Sequence, residues 1–245
     1  MAICPHCGQE TETENGYCIV CGQSLTTPEE PTIPPPVAEQ LPIMEVKIGD
    51  YFRAGWELFK KYPAGFVGYF ILVLAITFLL RLVPVIGWLA AFALMSPLNA
   101  GFFVVSAKLL QNRTPEFTDF FGGVKFYFLP LALFGMVSSV LITLGLALLI
   151  VPGIYLIVSY LFGVMFIVDR GFDFWPAMET SRRSVQPHWF KFFTFLLLVF
   201  LLNLGGALLM GVGLLVTVPL THCIFTVAYD DIFGIKSAHN ISVRI

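Results

Sequence analysis

Charged residues are scarce in this chain and unevenly distributed. They make up 12% of the 245 residues, whereas hydrophobic residues make up 57%. An average soluble domain is about 25% charged, so we expect lipid to be the main solvent of this chain. Residues 1–46 contain seven glutamates and no lysine or arginine. The sequence therefore consists of an acidic N-terminal part and an apolar remainder that holds every basic residue.

Several functional signals are also missing. The first residues lack the basic segment and apolar core of a secretory signal peptide, so a cleaved leader is not expected. The chain contains no HExxH, GxSxG or phosphate-binding loop. No acid, lysine or arginine lies in the middle of an apolar run, where transporters and membrane enzymes place such groups. We therefore predict that the protein is not an enzyme.

Four of the five cysteines form a regular pattern near the N-terminus. Cys4 and Cys7 make one CxxC pair, Cys18 and Cys21 make a second, and a glycine follows each pair. Four thiolates at this spacing can converge on one tetrahedral Zn²⁺, and glycine permits the tight turn around the metal. About 25 residues are too few for a hydrophobic core. Zinc binding would therefore supply the folding free energy of a zinc ribbon over residues 1–25.

Other readings of the four cysteines stay open. Two disulfides would need an oxidising compartment, and a redox CxxC motif is typical of a βαβ context that is missing here. An iron site could use the same four ligands. We expect structural zinc, with no open coordination position for catalysis, and we expect His6 not to be a ligand.

The charge of the ribbon indicates what it can bind. Nucleic acid binding requires lysine or arginine to neutralise phosphates, and residues 1–46 contain neither. We therefore predict no nucleic acid partner and favour a protein partner. A purely structural N-terminal cap is the alternative.

The segment after the ribbon is expected to be a spacer. Six prolines and three glutamates lie between Thr26 and Pro42, and such a composition does not form a core. We assign residues 26–44 as a proline-rich flexible linker, with a reach of roughly 50 Å in polyproline II geometry. The membrane domain then covers 45–235, and 236–245 form a tail.

Uninterrupted apolar runs locate the membrane spans. Charge-free segments cover residues 64–80, 82–107, 126–168 and 192–229, and one span needs about 20 residues. The two longest runs must therefore be hairpins, with turns expected at Pro152-Gly153 and at the glycines between 205 and 213. These considerations predict an all-α bundle of six transmembrane helices, at 64–82, 87–108, 128–149, 153–168, 192–210 and 213–229.

The distribution of basic residues predicts the orientation of these spans. The N-terminal segment, the loops after spans two and four, and the C-terminal segment hold thirteen of the fourteen lysines and arginines. The opposite loops hold Arg81 alone. The positive-inside rule places both termini in the cytoplasm of a bacterial inner membrane protein, where thiolates stay reduced.

Each predicted hairpin follows an amphipathic segment. Apolar residues recur at helical spacing before the first, third and fifth spans, beginning near Ile48, Phe117 and Phe174. We expect these segments to lie in the headgroup plane, as anchors or as sensors of anionic lipid. Lys61, Lys125 and His188 occupy similar places in the three segments, and Pro97-Leu98 matches Pro219-Leu220. The chain is therefore predicted to contain three tandem units around an axis along the membrane normal.

Few polar residues lie inside the predicted spans. Asn99, Asn203 and His222 are the main candidates for an intramembrane polar site. Such residues most often make hydrogen bonds between helices. We expect Cys223 to be a packing residue.

One region resembles a known family. Residues 149–156 (LIVPGIYL), Phe166-Ile167-Val168-Asp169, residues 177–181 (AMETS) and Trp189 resemble a broad group of bacterial zinc-ribbon integral membrane proteins. Their membrane part is similar to the membrane domain attached to some glycerophosphoryl diester phosphodiesterases. The resemblance covers about residues 45 to 235 and implies a membrane bundle without catalytic residues, because the phosphodiesterase barrel is missing.

The sequence thus favours a non-enzymatic membrane anchor or scaffold whose cytosolic zinc ribbon binds a protein. The alternative is a small-solute or lipid transporter built from helical-hairpin repeats. In both cases the lipid bilayer is the surrounding partner.

The metal prediction can be tested directly. Elemental analysis of the purified chain should find about one zinc per chain, as four thiolates require. Cys4→Ser should lower that ratio, because three ligands bind zinc more weakly. Cys223→Ser removes the cysteine outside the motif and should leave the ratio unchanged. Iron in place of zinc, or equal metal content in the wild type and Cys4→Ser, would contradict the prediction.

Overall fold

The computed structural model describes residues 2–3, 10–11, 46–83, 86–209 and 211–236. The chain divides into two compact units, Met1–Glu39 and Gln40–Ile245. In the first unit, strands β1 (Ala2–Ile3) and β2 (Glu10–Thr11) pair antiparallel and flank the first CxxC pair in sequence. The four motif cysteines and the segment 26–44 lie outside the described residues.

The second unit is helical, and five of its helical segments are long and apolar enough to cross a membrane. This confirms the predicted helical fold with apolar membrane-spanning segments. Two 3₁₀ segments, Phe117–Phe121 and Gln186–His188, precede the fourth and eighth helices. Within the described residues the helices are α1 Ile48–Lys61, α2 Pro63–Arg81, α3 Ile86–Leu110, α4 Gly122–Leu148, α5 Ile150–Ser159, α6 Gly163–Arg170, α7 Phe174–Val185, α8 Trp189–Leu208 and α9 Leu214–Phe233.

The last predicted span, 213–229, corresponds to α9, which is not among the five apolar candidates. Its sequence carries a histidine, three threonines and two adjacent aspartates, so it is more polar than the others. It contacts α1, α2, α3 and α8. A helix surrounded in this way needs less apolar sequence than one that faces lipid, since neighbouring helices cover its polar groups.

The turn predicted at Pro152-Gly153 is wrong. The chain reverses at Leu149, which has extended backbone angles (φ −154°, ψ 130°), and α5 begins at the next residue. Pro152 fits in the first turn of α5, where backbone N–H groups have no helical partner. A Cβ on Gly153 would collide with the Leu146 side chain. Gly153 therefore allows α4 and α5 to pack closely, and it does not form the turn.

Three similar bends connect the amphipathic segments to the spans that follow them. We call Tyr62, Tyr127 and His188 the elbows; their angles are φ −147°, ψ 53°, φ −129°, ψ 23° and φ −124°, ψ 29°. Each lies near a proline: Pro63 and Pro187 adjoin the first and third, and Pro130 follows the second by three residues. Proline disfavours helix at the preceding residue and removes a helical hydrogen bond.

The contacts between helices follow a cyclic rule. Each amphipathic segment packs on the helix that ends the preceding unit: α1 on α9, the 3₁₀ segment Phe117–Phe121 on α3, and α7 on α6. The first span of each unit follows the same rule, because α2 contacts α9, α4 contacts α3, and α8 contacts α5. The first of the three repeats (α1 and α2) thus packs against the last helix of the third repeat, α9. This pattern and the elbows support the predicted threefold repeat.

Burial separates inner from outer helices. In the spans Phe92–Leu110 and Ile150–Arg170, 67% and 44% of the most apolar stretch is buried, against 22% in each of the other three. The helices α3 and α5–α6 are therefore inner, and α2, α4 and α8 are outer. Helix α9 is also inner, because it contacts α1, α2, α3 and α8 and buries side chains from Pro219 to Tyr229. The exposed residues of the outer helices, such as Phe78, Leu129 and Leu208, are apolar, as expected of surfaces that contact lipid.

The first amphipathic segment packs its apolar face on the neighbouring helices. Helix α1 buries Tyr51, Gly55 and Leu58 against its neighbours. The Tyr51 hydroxyl donates a hydrogen bond of 2.8 Å to Asp231 at the end of α9. Burial, reinforced by this bond, raises the pKa of Tyr51 to about 12.

Gly55 lies at the closest approach of α1 and α9. A Cβ at Gly55 would lie 2.5 Å from Ile224 Cγ1 and 3.0 Å from the Ile224 backbone. Gly49, on the same helix, has no atom within 4 Å of an added Cβ. The two glycines therefore form a matched pair for testing the contact between α1 and α9.

We expect Gly55→Ala to destabilise the protein by about 1–3 kcal/mol, because the added methyl group overpacks the α1–α9 contact. Gly49→Ala should be neutral or stabilise the helix by up to about 1 kcal/mol. Thermal unfolding of both variants in detergent measures the difference. Equal melting temperatures would contradict the close approach of the two helices.

Candidate functional site

The predicted zinc ligands Cys4, Cys7, Cys18 and Cys21 lie outside the described residues, so the metal site remains a prediction. In the described part of the chain, no three histidine, cysteine, aspartate or glutamate side chains group as they would around a metal. Cys223 is fully buried in α9, with its sulfur 3.6 Å from the Ser106 hydroxyl of α3. Its surroundings are those of a packing residue.

Asn203 links the two helices of the last hairpin. Its amide group donates hydrogen bonds of 3.0 Å to the Val199 carbonyl and 2.8 Å to the Thr221 hydroxyl of α9. The Thr221 hydroxyl in turn donates to the Thr217 carbonyl at 2.8 Å. This arrangement is the helix-to-helix hydrogen bond expected of a polar residue inside a span.

Asn99 and His222 are not joined into a site with Asn203. The His222 ring stacks on Phe102 of α3, with ring centroids 4.5 Å apart and an interplanar angle of 4°. Asn99 lies one turn before Phe102 on α3. Neither side chain forms a hydrogen bond with another described residue. The structure thus gives Asn203 a structural partner and leaves the other two as half-buried polar groups on inner helices.

Aromatic rings fill the place where the inner helices meet. Tyr229 of α9 is fully buried, with its ring centroid 5.5 Å from Phe103 of α3. It also lies 6.1 Å from Phe162, which precedes α6, and 5.4 Å from Phe166 within it. Edge-on and tilted ring pairs at these separations are favourable packing geometries. The axis of the bundle is therefore closed at this level.

Asp169 and Arg170 form a buried ion pair in α6, and hydrogen bonds of both residues connect α6 to the end of α9. The Asp169 side chain is fully buried and lies 2.8 Å from Arg170 Nε. Its two oxygens accept hydrogen bonds from the Tyr229 hydroxyl (3.0 Å) and the Lys236 backbone N–H (2.8 Å). Arg170 also donates to the carbonyl oxygens of Phe233 and Gly234. A buried carboxylate is stable only with such partners.

Sequence reasoning missed this cluster as an organising feature. Asp169 appeared only within a family-like motif, and Arg170 only in the count of loop charges. An adjacent Asp and Arg at the end of an apolar run could have indicated a buried ion pair. Their partners, however, lie about 60 residues further on and become neighbours only in the folded chain.

The span predicted at 153–168 is interrupted, which corrects the expectation of one continuous helix. Helix α5 ends at Ser159 and α6 begins at Gly163. In lipid, each backbone group freed by such a break costs several kcal/mol unless it finds a partner. Ser181 of α7 supplies two: its hydroxyl accepts from the Phe162 N–H at 3.2 Å and donates to the Ser159 carbonyl at 2.8 Å.

The cations of α7 are also occupied. Glu179 accepts hydrogen bonds from Arg182 at 2.8 and 2.9 Å and from Arg183 at 2.5 Å. Their pairing with one carboxylate reduces the availability of both arginines to lipid headgroups.

We expect Ser181→Ala to destabilise the protein by about 1–3 kcal/mol, because it leaves two buried backbone groups without partners. Ser184→Ala is the matched control, since Ser184 is buried on the same helix and its hydroxyl has no partner among the described residues. That change should be neutral or stabilising. Thermal unfolding of both variants measures the difference, and equal stability would mean that Ser181 does not support the break.

Comparison of the chain with protein-family models, curated proteins and solved structures returned no match. The resemblance to the membrane domain attached to glycerophosphoryl diester phosphodiesterases therefore stays a prediction. Function has to be inferred from the geometry and the sequence of this chain.

Proposed function

We propose that this protein is a non-enzymatic anchor or scaffold of the bacterial inner membrane, which carries a protein-binding zinc ribbon on its cytosolic side. The observation that carries the proposal is the closed packing around Tyr229. Aromatic rings from α3, α6 and α9 meet there. A bundle packed in this way provides a rigid support and no aqueous path along its axis.

The hydrogen bonding of the described polar residues supports the same proposal. Asn203 and Thr221 hold α8 to α9, Ser181 holds the break between α5 and α6, and Asp169 holds α6 to α9. Groups that act on a substrate usually point into an open cavity with part of their hydrogen-bonding capacity unused. The donors of Asn203 and Ser181 and both oxygens of Asp169 form bonds that join helices, as expected of a structural element.

The proposed topology has six spans and both termini in the cytoplasm. It adds α9 to the five apolar helices, on the argument that an inner helix tolerates polar residues. The elbows, the end of α3 and the end of α9 then face the cytoplasm with most of the lysines and arginines, in accord with the positive-inside rule. The proposed ribbon lies in the same reducing compartment, which favours zinc over disulfides.

The partner of the ribbon is proposed from its charge. Seven glutamates and no basic residue in the first 46 positions make nucleic acid an unfavourable target. A protein surface with basic residues would complement that charge. The proline-rich linker would let the ribbon reach such a partner roughly 50 Å away.

Transport is the weaker alternative. A transporter of this kind would use Asn99, Asn203 and His222 near the bilayer midplane, but Asn203 is already bonded to Thr221. The stacked rings of His222 and Phe102 also bring α3 and α9 into contact at that level. Solute passage would require the inner helices to separate.

The adaptor function is tested by affinity purification of tagged chains from membranes. Deletion of residues 1–25 should remove a specific set of co-purifying proteins, because the membrane unit stays in place without its binding module. Cys4→Ser/Cys7→Ser is the matched variant: it keeps the full length but lacks two ligands, and it should lose the same set. Identical partner sets from the wild type and both variants would refute the adaptor.

A further inference from the structure

Within six residues of each elbow the sequence has an exposed aromatic residue and an exposed lysine. On α1 these are Trp56 and Lys60, four residues apart and so on one face of the helix. Lys125 and Phe128 flank the second elbow, and Phe190 and Lys191 follow the third. We call these six residues the collar: Trp56, Lys60, Lys125, Phe128, Phe190 and Lys191.

The rings of the collar are exposed. Trp56 and Phe128 are each 43% exposed, and Phe190 is 79% exposed. The apolar belt of the outer helices begins beside them, since Leu129 directly after Phe128 is 64% exposed. Aromatic side chains in this position are typical of the boundary between hydrocarbon and headgroups. The elbows therefore mark the level of the membrane surface.

The lysines of the collar have weak partners or none in the described part of the chain. Lys191 forms no ion pair there, and the Lys125 amine lies 5.1 Å from the centroid of the Phe126 ring. Lys60 pairs at 2.8 Å with Glu57, but both side chains are about half exposed or more, and such surface pairs contribute little. By contrast, Lys108 contacts the buried Asp119 at 2.6 Å. The collar charges thus remain available to an outside anion.

We propose that the collar binds the headgroups of anionic phospholipids near the three elbows. The ring of each pair enters the boundary of the hydrocarbon, and the lysine contacts a lipid phosphate in the same leaflet. An anionic membrane surface attracts such lysines, and the attraction decays within a Debye length. This proposal requires that the bundle spans a bilayer, but it does not depend on the ribbon or its partner.

Native mass spectrometry of the full chain in detergent can count bound lipids during titration with phosphatidylglycerol or phosphatidylcholine. Wild-type protein should bind the anionic lipid about tenfold more tightly, as expected for several lysines near one charged surface. That preference should shrink in high salt, because salt screens exposed charges. Inorganic phosphate at the same concentration should not displace the lipid, since it lacks the chains that the aromatic rings contact.

The decisive variant is K60Q/K125Q/K191Q, which should bind both lipids about equally. Arg81→Gln is the matched control, because Arg81 is an exposed cation at the other end of α2; it should keep the wild-type preference. K60R/K125R/K191R keeps the charge and should also keep it. Equal binding of both lipids by the wild type, or an unchanged preference in K60Q/K125Q/K191Q, would overturn the proposal. If K60Q/K125Q/K191Q does not fold, the salt dependence of the wild type decides.

Discussion

The hydrogen bond from Tyr229 to Asp169 joins the elements on which the rest of the bundle depends. Tyr229 contacts rings from α3 and α6 while its hydroxyl reaches the one carboxylate buried at the end of α6. That carboxylate also accepts the Lys236 N–H and faces Arg170. Loss of the tyrosine hydroxyl would leave a buried charge with fewer donors, which is costly in a low-dielectric interior. Hydrogen bonds of Asp169 and Arg170 thus join α6 to the end of α9, and the Tyr229 ring packs on Phe103 of α3.

The repeat explains why this centre can form. In each of the three repeats an amphipathic segment is followed by an elbow, then by an outer helix, and then by an inner helix that runs back. The end of each inner helix packs against the amphipathic segment of the next repeat, so that successive repeats contact each other. Because α1 covers α9, the contacts between units form a ring. The contact between α1 and α9 connects the first helix of the helical unit to its last, and Gly55 and Tyr51 lie in this contact.

Polar residues inside the bundle have a consistent use. Ser181 and Asp169 each satisfy a group that a break or a helix end leaves exposed to an apolar interior, and Asn203 donates to Thr221 on the neighbouring helix. Such bonds set the register of neighbouring helices, since lipid gives helices little hydrophobic reason to associate. Free charge lies instead at the elbows, where the collar faces the membrane surface. This separation suits an anchor that is rigid inside and adapted to its lipid at the rim.

How much of this was predictable depends on the range of the interaction. The apolar runs sufficed to place the membrane helices within a few residues, because a span must be apolar over its whole length in lipid. The repeat was visible in the sequence at Lys61, Lys125 and His188, which lie at or close to the observed elbows. A proline near each elbow restricts the backbone locally, so the position of the bend is encoded in nearby sequence. The turn predicted at Pro152-Gly153 was wrong, because a Pro-Gly pair occurs both in turns and at close contacts between helices. Which of the two forms depends on the neighbouring helix.

The sequence by itself determined an acidic N-terminal segment with four regularly spaced cysteines, a proline-rich connection and a series of apolar helices, since composition and local backbone preference act without the rest of the fold. Only the tertiary structure decided which helices are inner, where the span after Leu149 breaks, and which polar side chains are used. Those outcomes depend on partners far apart in sequence, such as Ser181 and Ser159 or Tyr229 and Asp169. A buried polar group is stable only where the folded chain brings it a partner, and that partner cannot be identified from local sequence.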